Sequence, residues 1–112
     1  MQKNEVLWAK SVVAIQPGKI DRSPTGTALC ARMAILRQSG IMQVGDVLTI
    51  SSIINSEFRG SILEDTSVGS KLAIVPEVSG RGWITGTHQL LLDPSDPWPE
   101  GYRLTDTWPD YK

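Results

Sequence analysis

A chain of 112 residues, 40% apolar and with a formal net charge of −1, is long enough for one hydrophobic core and offers no basic face for nucleic acid or an anionic membrane surface. Its single cysteine, Cys30, cannot close an internal disulfide, and the apolar flanks Leu29 and Ala31 point to burial in a chain of the reducing cytoplasm. The opening MQKNEVLWAKSVVAI lacks the apolar heart of a signal peptide, and nowhere are there the ~18 consecutive apolar residues of a membrane span.

In chain order, the first predicted element is SVVAI (11–15), a β-branched run that ends at Pro17-Gly18 and reads as a short buried strand closed by a turn. After Thr27 the pattern becomes helical. Ala28, Leu29, Ala31, Met33, Ala34, Ile35 and Leu36 are apolar or good helix formers, Arg37 places a cation in the last turn, and Ser39-Gly40 supplies the stop. The outcome is a helix of about three turns. It is apolar on nearly all sides, which predicts burial.

Beyond Gly40 the period is two. VLTIS (47–51), EFRGSILED (57–65), KLAIVPEV (71–78) and GWITGTHQLLLD (82–93) read as strands, with turn candidates at Val44-Gly45-Asp46, Val68-Gly69-Ser70 and Ser79-Gly80-Arg81. The expected class is α+β: a curled, mostly antiparallel sheet wrapped around one central buried helix. After Asp93 the texture changes. Residues 94–112 carry four prolines and both tyrosines and read as an extended tail packed by its aromatic residues. No internal repeat and no domain boundary is visible.

The polar approach to the helix, KIDRSPTGT (19–27), carries the chemistry. Pro24 fixes its own φ and disfavours a helical Ser23, so the chain arrives extended and turns at Thr25-Gly26-Thr27. Thr25 or Thr27 can cap the helix, and Gly26 permits close approach of backbone to a ligand. The unpaired N–H groups of the first turn favour an anion such as a carboxylate. Asp21, across a tight turn, can face the same cavity and hold a cationic amine, so that the segment describes a site for an amino acid. The plainer reading of the same residues is an N-cap, with Asp21 serving the turn or pairing with Arg22. His88 reads as a hydrogen-bonded strand residue, Arg59 and Arg81 as solvated, and Trp83, Trp98 and Trp108 as packing residues. One cysteine and one histidine give no basis for a metal site.

KIDRSPTGT followed by ARMAIL, then VGD, SII-SEF and IVPEVSGRGWITGTHQLLLDP-DPWPEGYRL, from about Val12 to about Trp108, resembles the C-terminal portion of the proline racemase superfamily. That superfamily includes proline racemases, 4-hydroxyproline epimerases and trans-3-hydroxy-L-proline dehydratases. The resemblance implies one half of a diaminopimelate epimerase-like fold, in which two pseudo-symmetric halves each curl a sheet around a helix and the substrate lies between the helix N-termini. It makes residues 1–112 a single partial domain matching the family's last third. Asp21 is then expected to contact the ring nitrogen, the backbone N–H groups of Gly26 and Thr27 to cradle the carboxylate, and Thr25 to face the reacting carbons. No cofactor is implied.

Racemases and epimerases of this group use two cysteines on opposite faces of the α-carbon. The position of the second, in the family's DRSPCGT, is Thr25 here. A thiol ionises near 8.5 and lower at a helix N-terminus, whereas an alcohol lies close to water at about 15.7. Two-base inversion is thereby disfavoured. One-base elimination survives, and a threonine at this position marks trans-3-hydroxy-L-proline dehydratases, a lyase activity. Two departures stand out: Ala28 and Leu29 follow Thr27 where the family has glycine and a small residue, and the Met-Cys-Gly-His type motif that supplies the base has no counterpart. The expectation is a dehydratase-type chain that is incomplete alone. The alternatives are an inactive remnant, an amino-acid-binding or partner subunit, or a racemase or 4-hydroxyproline epimerase. The expected partners are a small-molecule substrate and either a second copy of the chain or the missing N-terminal half.

Overall fold

The computed structural model describes residues 4–102, which divide into two compact units after Gly82. The first contains strands β1 (Val6–Lys10), β2 (Ala14–Ile15) and β3 (Lys19–Ile20), helix α1 (Gly26–Gln38), and strands β4 (Val47–Ser51), β5 (Glu57–Val68) and β6 (Lys71–Gly80). The class is α+β. Four strands form one mixed sheet in the order β1-β4-β5-β6, with β1 parallel to β4 and the other two pairings antiparallel; β2 and β3 form a separate small hairpin.

The turn chemistry explains where the long hairpin bends. Gly69, at φ 60°, takes the left-handed conformation that a two-residue link between Val68 and Lys71 requires. Pro76 sits on β6, an edge strand of the sheet, where a missing N–H costs least, and it pairs with Ile62 just before the register slips between Ile62 and Glu64.

Helix α1 lies against this sheet through one stripe. Leu29 and Met33 are fully buried with Met42, Leu48, Ile50 and Ile62, and Leu36 and Phe58 pack at the margin. Gly60, opposite Leu48 in the β4–β5 register, makes the approach possible: a Cβ there would stand 2.7 Å from the Met33 thioether and 3.1 Å from Leu29. The burial predicted for all sides of the helix is confined to that stripe, because one sheet covers one face; Ala31 and Arg32 are exposed and Ile35 is 63% exposed. The C-terminal end closes as the sequence predicts. Gly40, at φ 78°, donates its N–H to Arg37 O, and Ile41 donates to Leu36 O, the paired bonds of a Schellman motif. Arg37 then binds both oxygens of Asp65 on β5, at 2.9 and 2.7 Å.

Two strand expectations need correction, and one strand had no expectation. The run 11–15 contributes only Ala14–Ile15 and is exposed, because its partner is a two-residue strand that covers nothing. The run 82–93 forms no strand: in the second unit Ile84 is 93% and Leu90 92% exposed, and apolar alternation alone does not make a strand. Strand β1 was not predicted, since its partner β4 lies 41 residues further along the chain and leaves no local trace. Trp83 and Trp98, read as packing residues, are 67% and 60% exposed; Trp98 meets Tyr102 with ring centroids 5.2 Å apart. Trp108 and the end of the 94–112 tail lie outside the described residues. No helix among them is long and apolar enough to cross a membrane.

Candidate active site

The segment between β3 and α1 begins with an Asx turn. Asp21 Oδ1 accepts the N–H of Ser23 at 2.8 Å, and the Ser23 hydroxyl accepts the N–H of Thr25 at 3.2 Å. Pro24 is fully buried and anchors the bend, so that the helix starts immediately beyond it. Thr25 occupies the N-cap position, and its carbonyl accepts the N–H of Leu29 at 3.0 Å.

The threonine does not cap the helix with its side chain, contrary to one reading of the sequence. Its φ is 64° and ψ 111°, and no side-chain capping bond is made by Thr25 or by Thr27. The hydroxyl turns away and donates to Asp21 Oδ2 at 3.1 Å. A β-branched residue with positive φ is an uncommon and costly conformation, of the kind that collects at functional positions. Two features follow together. The alcohol and the carboxylate that resemblance assigned to one site are in direct contact, and the first-turn N–H groups are left without a side-chain acceptor, with no acidic residue in that turn.

The electrostatics match. The backbone N–H of Ser23, then the Ser23 hydroxyl, hold the Asp21 carboxyl below its ordinary value; partial burial opposes them and the Thr25 hydroxyl adds to them. Asp21 is therefore an anion at neutral pH, suited to a cationic nitrogen and unsuited to serve as a proton acceptor for the neighbouring alcohol. The ion pair that could have tied it to Arg22 is not formed; the pair among the described residues is Arg37–Asp65. At Gly26 an added Cβ would meet nothing within 4 Å and the φ is not in the left-handed range, so that neither packing nor backbone geometry explains glycine there.

Other candidates are placed elsewhere. Cys30 lies five residues past Thr25 inside α1 and is half-buried. His88 is in the second unit, in a segment without regular structure. The described residues hold no cluster of three or more His, Cys, Asp or Glu that could bind a metal. Two cavities of about 280 and 320 Å³ are lined respectively by residues around Gln43 and Asp46 and by residues of α1, Asp65 and Leu72–Ile74, away from Asp21 and Thr25. Sequence reasoning missed Ser23 and Ser56. The Asp-x-Ser spacing was the available signal for the first; the second reaches this segment from 34 residues away, donating its hydroxyl to Arg22 O at 3.0 Å.

Comparison with known proteins finds similarity over most of the chain. The family model for proline racemase matches residues 1–103. A hydroxyproline epimerase from Agrobacterium vitis, solved with bound trans-4-hydroxy-L-proline, is 38% identical with a TM-score of 0.67, covering 88% of this chain and 28% of the epimerase. A probable proline racemase from Agrobacterium radiobacter K84, solved with bound carbonate, is 43% identical with a TM-score of 0.68, covering 88% of this chain and 29% of that protein. The chain thus spans under a third of the length of either relative.

Proposed function

This chain belongs to the proline racemase family, and from that premise we propose that it carries one side of an active site for a hydroxyproline. In this reading Asp21 holds the ring nitrogen and the N–H groups of Gly26 and Thr27 hold the carboxylate. Thr25 presents its hydroxyl to the ring carbons. The contact between the Thr25 hydroxyl and Asp21, at an uncapped helix N-terminus, is the observation that supports it.

The reaction proposed is one-base elimination from trans-3-hydroxy-L-proline. A thiolate facing Thr25 takes the α-proton, the C2–C3 double bond forms as the C3–O bond breaks, and the leaving hydroxide takes a proton from solvent to become water while the thiol returns its proton to solvent. The carbanionic character at C2 is stabilised by the fixed amides at the carboxylate and by the positive ring nitrogen. Without substrate the Thr25 hydroxyl donates to Asp21; once Asp21 takes the ring nitrogen, the hydroxyl turns, keeps its proton and donates to the departing oxygen. Since Cys30 is half-buried within α1, the thiolate is supplied by a polypeptide outside this stretch.

A second reading, racemisation or 4-hydroxyproline epimerisation, draws on the names of the two solved relatives. It requires an acid and a base on opposite faces, and an alcohol at position 25 is a poor match for either at neutral pH. The two readings separate in one experiment. The chain, alone and with a polypeptide carrying the family's Cys-Gly-His segment, is incubated with trans-3- and trans-4-hydroxy-L-proline in deuterated water. Mass loss of one water from the 3-hydroxy isomer, only in the mixture, is expected. Inversion of the 4-hydroxy isomer with solvent deuterium at the α-carbon supports the second reading, and turnover by the chain alone refutes an external base.

A further inference from the structure

The β4–β5 connection carries a buried hydroxyl pair that the chemistry above does not use. Ser52 is fully buried, and its Oγ lies 2.6 Å from Ser56 Oγ while accepting the N–H groups of Ile54 and Ser56 at 3.3 and 3.2 Å. A serine hydroxyl has one hydrogen to give. Ser56 gives its hydrogen to Arg22 O, so in the pair Ser56 must accept and Ser52 must donate. Direction is thereby fixed from the interior outward: Ser52 Oγ–H to Ser56 Oγ–H to the carbonyl of Arg22.

That carbonyl belongs to the Arg22–Ser23 peptide unit, and the N–H of the same unit is the one Asp21 Oδ1 accepts. A peptide unit is planar, so holding its oxygen sets the direction of its N–H. The far oxygen of Asp21 in turn receives Thr25. From these linked bonds we infer that Ser56, oriented by Ser52, is a positioning residue for the Asp21 carboxylate and through it for the Thr25 hydroxyl. The inference rests on the reading of Asp21 and Thr25 as site residues. The turn that presents Ser56 is itself pinned, with Asn55 at φ 63° accepting the Lys10 ammonium at 2.8 Å and Ser52 donating its N–H to Ser56 O at 2.8 Å.

The test is NMR of the full chain with the aspartate carboxyls and backbone amides labelled, comparing the native chain with Ser56→Ala and Ser56→Thr. In the native chain the Ser23 amide proton should titrate with Asp21. In Ser56→Ala the Asp21 midpoint should move up toward the ordinary carboxylate range, the Ser23 amide should lose its pH-dependent excursion, and the 21–25 segment should exchange its amides about tenfold faster, the factor set by one neutral hydrogen bond. Asp65 and Asp93, held low by Arg37 and by Ser95 respectively, should not move. Ser56→Thr should restore the native behaviour. An unmoved Asp21 in folded Ser56→Ala overturns the inference. Should that variant fail to fold, Ser56→Gly, which also removes the hydroxyl, carries the same two outcomes. No substrate enters this measurement, so failure of the turnover experiment and failure of the positioning role are read separately.

Discussion

Gly26→Ala separates what the fold needs from what a ligand needs. The added methyl would meet no atom within 4 Å, and the backbone there is not in the left-handed range. Position 26 opens helix α1, so alanine restricts the unfolded chain without straining the folded one. The gain is about 0.4–1 kcal/mol, or a rise in Tm of roughly 2–8 °C for a domain of this size. If the Gly26 amide cradles a carboxylate, the same methyl intrudes on the ligand and binding falls while stability rises. The assays are thermal unfolding and titration of trans-3-hydroxy-L-proline into the chain mixed with a polypeptide carrying the family's Cys-Gly-His segment, followed by the amide shifts of Thr27 and Leu29. A lower Tm would refute the structural reasoning. Undiminished binding would remove Gly26 from the site.

Gly60→Ala should behave in the opposite way, because its Cβ would press on Met33 and Leu29 beneath α1; a loss of about 1–3 kcal/mol is expected in denaturant melts. Asp46→Ala strands the N–H groups of Glu5 and Gln43, which it accepts at 2.9 and 2.8 Å while only 4% exposed, and each unpaired donor should cost about 1–3 kcal/mol in the same measurement. Thr25→Cys places a thiol at the helix N-terminus; with the partner polypeptide it should raise inversion of trans-4-hydroxy-L-proline by about 10²-fold or more, read by chiral chromatography. Stability should also depend on acid. The carboxyl of Asp65 is depressed, chiefly by its hydrogen bonds from Arg37, and that of Asp21 chiefly by the Ser23 N–H, so their contributions are complete above the ordinary carboxylate value of 3.8 and lost as pH falls through the lower folded values. Tm should be flat down to about pH 5 and then decline, and Arg37→Gln should flatten the Asp65 part of that decline.

Helix α1 was legible because its signals are local: a proline before it, an apolar run within it and glycine after it all act within one or two turns. The hairpin β5–β6 was legible for the same reason, since Gly69-Ser70 joins strands that are neighbours in sequence. What failed was non-local. The parallel pairing of β1 with β4, the exposure of Ile84 and Leu90, and the one-sided burial of α1 depend on which surfaces meet, which periodicity does not encode. The candidate site shows the same division. Asp21, Thr25, Gly26 and Thr27 fall within seven residues and could be named from sequence, whereas the positive φ of Thr25 has no sequence signal and the reach of Ser56 to Arg22 arises only when the β4–β5 connection meets the segment before the helix.

The two ends of α1 differ in a way that stability alone does not explain. At the C-terminal end the N–H groups of Gly40 and Ile41 satisfy the carbonyls of Arg37 and Leu36, and the Arg37 side chain anchors the helix to Asp65 on β5. At the N-terminal end a threonine sits where its hydroxyl could cap, a bond worth about 1 kcal/mol, yet it adopts a positive φ that costs of order 1–3 kcal/mol and gives its hydroxyl to Asp21 instead. Against a total stability of about 5–15 kcal/mol, both concessions are large. On the reading proposed here, an ordinary cap would have occupied the amides assigned to an incoming carboxylate and withdrawn the hydroxyl from the carboxylate beside it. The strained arrangement leaves those amides without a side-chain acceptor and points an alcohol toward an anion already held in place, the arrangement that the proposed zwitterionic ligand would require.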